Sequence, residues 1–293
     1  MFLPQSKDEL KAAIDECLEL SSVGNCFKGP HGPIGEWDVS RITDMNGMFN
    51  RPSDSENIFN HDLSNWDVSH VTNMRNMFYG ASEFNQNLSK WDVSRVTDMS
   101  FMFYVAIEFN QDLSKWDVSS VTNMGDMFYV AFSFNQDLSK WDVSRVTNIG
   151  YMFYGASKFN QNLSNWDVSR VTNMVYMFHG ASNFNQDLSK WDVSRVTDMS
   201  FIFYGAISFN QDLSKWDVSH VTNTRGMFYG ASKFNQDLSK WDVSRVINMV
   251  GMFHGASSFR QRLCGEAWVA SKAYEHNMFT GSPGSISTTV CGA

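Results

Sequence analysis

The 293-residue chain carries 23 basic and 31 acidic side chains, a net charge of −8, with 43% hydrophobic and 15% aromatic residues. So much aromatic bulk demands burial and excludes a disordered chain. The acidic balance argues against a nucleic-acid scaffold, which presents a basic stripe, and no apolar run approaches the ~18 residues of a membrane span.

Residues 1–32 read as an N-terminal helical cap. Met1-Phe2-Leu3-Pro4 passes directly into Gln5-Ser6-Lys7-Asp8, without the basic and apolar regions of a leader peptide. Leu10, Ile14, Cys17 and Leu18 then fall on one face of a helix beginning near Lys7, with Ser6 as N-cap. Such a helix would cover the open apolar end of the first repeat. Gly29-Pro30-His31-Gly32-Pro33 hands the chain to Ile34, which takes the first leucine slot.

Residues 33–263 are nine near-copies of one unit. Trp66, Trp91, Trp116, Trp141, Trp166, Trp191, Trp216 and Trp241 recur every 25 residues, and Trp37 precedes them by 29. The extra four residues fall in Arg51-Pro52-Ser53-Asp54-Ser55-Glu56-Asn57, which reads as a surface loop. Within a unit, Trp91 and Val93 alternate with Asp92 and Ser94, the pattern of a strand with Trp and Val inward. Met99, Met102, Phe103 and Ala106 follow at i, i+3, i+4 and i+7, the pattern of a short helix started by Thr97 or Asp98. Gly follows the tyrosine slot in six units, but Val105 and Val130 take the place in two. A β-branched residue at positive φ is costly, so this slot is expected to need close approach of neighbouring coils rather than a left-handed backbone. The prediction is an α/β repeat with one parallel sheet at about 4.8 Å per coil and short helices, stable only through contact between neighbouring units.

Residues 264–293 read as a C-terminal cap. Phe259-Arg260-Gln261-Arg262-Leu263 departs from the Phe-Asn-Gln-Asp-Leu pattern, and Trp268 falls two residues out of register. The four cysteines lie outside the repeats. In a rod the two ends cannot meet, so Cys17–Cys26 and Cys264–Cys291 are the bridges expected, the alternative being four buried thiols.

The runs Leu-x-x-Trp-Asp-Val-Ser-x-Val-Thr-x-Met-x-x-Met-Phe-x-x-Ala-x-x-Phe-Asn-Gln, over roughly residues 33–263, resemble the BspA-like leucine-rich-repeat surface-protein family. That resemblance implies a right-handed leucine-rich-repeat-like solenoid, placed outside the cell or on its surface and used for adhesion or recognition.

Asp38, Asp67, Asp92, Asp117, Asp142, Asp167, Asp192, Asp217 and Asp242 would stack in a column. They read as acceptors for backbone N–H groups, the alternative being an ion- or mineral-facing ladder in a structural matrix protein; calcium needs more converging oxygens than a bare column offers. Asn60 to Asn235 form a second column, read as a structural ladder between coils. Stacking supplies like groups in a row, whereas catalysis needs different groups converging on one point. No enzyme, cofactor or metal is therefore expected. The pair before each second methionine varies most between units, and Phe101, Tyr151, Tyr176 and Phe201 on that stripe are the candidate anchors for a protein or glycan partner, unless the stripe has merely drifted. Self-association remains a further possibility.

Overall fold

The computed structural model describes residues 2–51 and 57–292. The loop expected at the four-residue insertion lies, but for its two ends, outside the described residues. The regular elements are few. Helix α1 spans Lys7–Leu20 and a 3₁₀ turn Ile34–Glu36. Near the other end come β1 (Arg262–Leu263), α2 (Glu266–Val269) and β2 (Ser285–Ile286), with β1 and β2 paired in parallel, Arg262 against Ser285. Among the described residues no helix is long and apolar enough to cross a membrane.

Helix α1 forms as its sequence predicts. Ser6 Oγ accepts from Glu9 N–H at 3.2 Å, and Leu10, Ala13, Ile14, Cys17 and Leu18 are buried. Cys17–Cys26 and Cys264–Cys291 are bonded, with Cα atoms 5.5 and 5.0 Å apart. Disulfides persist in oxidising compartments.

Between the caps the 25-residue units stack, and one continuous apolar core runs through them. The inward phase of the pattern holds at Trp91, Val93, Met99, Met102, Phe103 and Ala106, all buried. The backbone carrying them is not the one their spacing predicts. Trp-Asp-Val-Ser is no strand: Asp92 Oδ1 accepts from Ser94 N–H at 3.0 Å, and Val96 N–H bonds Val93 O. The local side-chain bond bends the chain where a sheet would extend it. Two more such bends complete each coil, at Asn87 with Ser89 and at Asp98 with Ser100.

The segment Met99–Ala106 is no helix either. Phe101 and Val105 take φ of 59° and 56°. The N–H groups of Met99, Phe101, Phe103 and Val105 donate to Asn123, Gly125, Met127 and Tyr129 of the next coil. Those of Met102, Tyr104 and Ala106 close turns onto the residue three back. An α-helix would direct every N–H beyond its first turn to its own carbonyl four residues back. Alternating turns free half of them to join the coils. The parallel pairing therefore lies one corner later than expected, with bridges such as Asp98↔Asn123 and Asn123↔Asn148.

The slot after tyrosine does require a left-handed backbone. Six glycines hold it with φ between 66° and 71°, and Val105 and Val130 hold it at 56° and 53°. A Cβ built on Gly180 would lie 3.7 Å from Gly155 Cα, an ordinary contact, so space is not the constraint. Each valine carries the cost of a left-handed L-residue, about 1–2 kcal/mol.

At the C-terminal end Trp268 rejoins the tryptophan column despite its shifted number. Its indole N–H donates to Leu238 O at 2.8 Å, as Trp241 donates to Leu213 O at 2.9 Å. Phe253 N–H bonds Met278 O and Phe279 stacks on Phe253, so the C-terminal segment closes the stack with one more irregular coil.

The spacing between equivalent side chains grows across the coil. Between one pair of neighbouring coils it is 4.4 Å for Tyr104–Tyr129, 5.6 Å for Phe103–Phe128 and 6.1 Å for Phe109–Phe134. It reaches 6.5 Å for Trp116–Trp141. Displacements of equivalent points can differ this way only if the coils fan. The stack therefore curves, with tyrosines on the inner side and tryptophans on the outer.

Candidate functional site: two aromatic columns on the inner curve

Tyrosine follows the buried Met-Phe pair in most units. Tyr104 follows the inward Met102 and Phe103 but itself points outward and is only half-buried. Stacking aligns Tyr79, Tyr104, Tyr129, Tyr154, His179, Tyr204, Tyr229 and His254 in one file. Neighbouring rings lie 4.2–4.5 Å apart and within 10° of parallel.

A second, shorter file stands beside it. Tyr151, Tyr176 and Phe201 stack at 4.6 Å, each at a left-handed backbone position. Cross contacts of 5.6–6.2 Å, such as Tyr176–His179 and Tyr154–Tyr176, join the two files. Of the four anchors expected, these three come together. Phe101 stands apart, two coils before Tyr151, with Asp126 in the coil between. The Arg75 guanidinium lies 4.8 Å from the separate Phe101 ring, and that of Arg225 lies 5.5 Å from the Phe201 ring, so a cation covers the Phe201 end of the three-ring file.

The rings do not present their faces as free anchors. Each inner ring is covered on both sides by its neighbours, leaving edges and hydroxyl groups toward solvent. Burial raises the Tyr104, Tyr151, Tyr154 and Tyr176 phenols above their ordinary range, so they remain neutral donors. Burial also lowers the His179 imidazole, which keeps a neutral ring in the stack near neutral pH. Asp126 is half-buried, and desolvation pushes its carboxyl up to about 6, against the opposing pull of Arg75.

Spacing alone does not mark the tyrosine file as a site, because a residue recurring in most units looks structural. The signal was present in the sequence: a large amphipathic ring in the outward phase, beside the variable stripe.

The other columns hold the fold. Asp38, Asp67, Asp92, Asp142, Asp217 and Asp242 each accept from the serine two residues on, which holds their carboxyls below the usual range. Among the described residues no three His, Cys, Asp or Glu side chains converge as a metal site would require. Asn135 Oδ1 accepts from Asn160 N–H at 2.9 Å and from Gln161 Nε2 at 3.0 Å, and the same pair of bonds recurs along the column. The glutamine partner is the part of this ladder that the asparagine count alone does not reveal.

No curated protein matches the chain. Among solved structures it is similar to the crystal structure of a TLR13-ssRNA13 complex, at 12% identity and a TM-score of 0.29, over 75% of this chain and 35% of that one. The family described as "Mycoplasma protein of unknown function, DUF285" matches residues 20–139, 83–191, 133–228 and 180–285, successive overlapping windows that span the whole stack. The chain belongs to this family of repeat proteins.

Proposed function

We propose that the chain is a non-enzymatic binding module of the extracellular space or the cell surface, built as a right-handed leucine-rich-repeat-type solenoid of the BspA-like kind, and that its inner aromatic face holds a protein partner. The observation that carries this reading is the pair of half-exposed aromatic columns on the inner curve. Curved repeat stacks offer extended concave surfaces to partners. Tyrosine edges and hydroxyls combine apolar contact with hydrogen bonding, the mixture that protein interfaces use. A sugar ring would stack on an open aromatic face, and the faces of Tyr129 and Tyr176 are covered on both sides. That favours protein over glycan. The two disulfides support an oxidising compartment, and rows of like groups support binding rather than catalysis.

The test is the Tyr151→Ala/Tyr176→Ala double variant beside the parent chain, each probed against arrays of folded extracellular protein domains and of glycans. The expected result is a protein hit that weakens at least about tenfold in the variant. A glycan hit lost in the same variant would replace protein by glycan as the ligand. Binding that the variant leaves unchanged would remove this face as the site.

A further inference from the structure

Two neighbouring coils break the repeat at the same corner. Where six other coils place glycine they carry Val105 and Val130, both in the left-handed region. Two residues on, where most coils place serine, they carry Ile107 and Phe132, 37% and 49% exposed. Ser133 N–H donates to Ile107 O, which holds the two corners side by side. Four apolar side chains thus form one outward patch. Ile207 repeats the exposure alone, beside Gly205. Backbone strain retained at a solvent-facing apolar patch points to a contact surface.

The charges around the patch say what fits it. The next position along the corner reads Glu83, Glu108, Ser133, Lys158, Asn183 and Ser208 in successive coils. Glu108 and Lys158 are exposed, and neither forms an ion pair within the described chain. A two-fold axis through Ser133 sets Glu108 of one copy against Lys158 of the other, and Glu83 against Asn183. Phe132 then meets its own counterpart. Shifting the axis one coil either way opposes Glu108 to Glu108 or Lys158 to Lys158.

We infer that this corner is a self-complementary surface through which two copies of the chain associate side by side and antiparallel, with Val105, Ile107, Val130 and Phe132 at its apolar centre and the Glu108–Lys158 pair on each side. A closed two-fold interface requires this reciprocity. The surface is separate from the inner aromatic face and does not depend on the function proposed for it.

Sedimentation equilibrium over a concentration series reaching on the order of 100 µM tests the pairing. The parent chain is expected to shift from monomer to dimer. Glu108→Lys and Lys158→Glu each oppose like charges and should weaken the dimer at least about tenfold. The combined swap should restore it, and a mixture of the two single variants should pair with each other. Phe132→Ser installs the residue that sister coils carry here, so it keeps the fold and should also weaken association. A parent chain that stays monomeric throughout the series, or a combined swap that restores nothing, overturns the inference.

Discussion

Valine at a left-handed position shows how strictly the stack dictates single backbone angles. At the slot after tyrosine the N–H must reach the next coil and the side chain must leave the core, and only positive φ meets both conditions. Gly180→Ala isolates the angle from sterics, because its new Cβ would meet nothing closer than 3.7 Å. The substitution is expected to cost about 1–2 kcal/mol, read as a lower urea midpoint at unchanged slope. Asp126 offers a second single-residue test. Its carboxyl is raised from 3.8 to about 6, so the folded chain holds the proton more tightly than the unfolded one. Stability from this group is therefore present below the unfolded value and is lost as pH rises through the folded one. Asp126→Asn cannot ionise, so thermal melts should show it more stable than the parent at about pH 7 and level with it at about pH 3.5. Which side chains are buried was legible from spacing alone, as at Trp91, Val93, Met99 and Phe103. The sign of φ was not: the valines argued against a left-handed slot because inter-coil bonding, which overrides the local cost, leaves no mark within one unit.

An element in this molecule is a column across coils more than a run along the chain, and that is why strand and helix were both misplaced. Residues at i, i+3, i+4 and i+7 share one side of a helix, but here they share one side of successive four-residue turns, as Met99, Met102, Phe103 and Ala106 do. Periodicity cannot separate these two cases. What separates them is where the N–H groups go, and the sequence shows that only through residues that bend the chain: Asp92 with Ser94, Asp98 with Ser100. The asparagine column was legible, because a polar residue repeated between apolar ones needs a partner and the next coil is the nearest. Its energetic role can be measured. Asn135→Ala strips the acceptor from Asn160 N–H and from Gln161 Nε2. Gln161 retains the Asn135 carbonyl at 3.1 Å, which leaves chiefly the backbone N–H unpaired. The expected loss is about 2 kcal/mol. The exposed Glu83→Ala should stay within about 0.5 kcal/mol in the same denaturation series.

At the scale of the whole molecule, stability comes from like packed on like. The caps were legible because their sequences depart from the repeat and carry the cysteines. The curvature was not, since it arises from small differences in spacing that only the assembled stack reveals, and it is curvature that sets the tyrosine file on the inner face. A stack of this kind should tolerate loss of a whole unit but not of part of one. Removing residues 160–184 joins Phe159 to Asn185 and leaves every column in register. Asn135 would then accept from Asn185 N–H in place of Asn160, and Trp191 would inherit the bond that Trp166 makes to Leu138 O. The shortened chain is expected to keep its near-UV circular dichroism and a single cooperative melt, at a somewhat lower midpoint, because one coil and one interface are gone. Removing only residues 160–171 deletes Leu163, Trp166, Val168 and Val171, all buried, and leaves a coil too short to close on its neighbours. That chain should lose the cooperative transition. If both deletions melted alike, stacking of whole coils would not be what holds the molecule together.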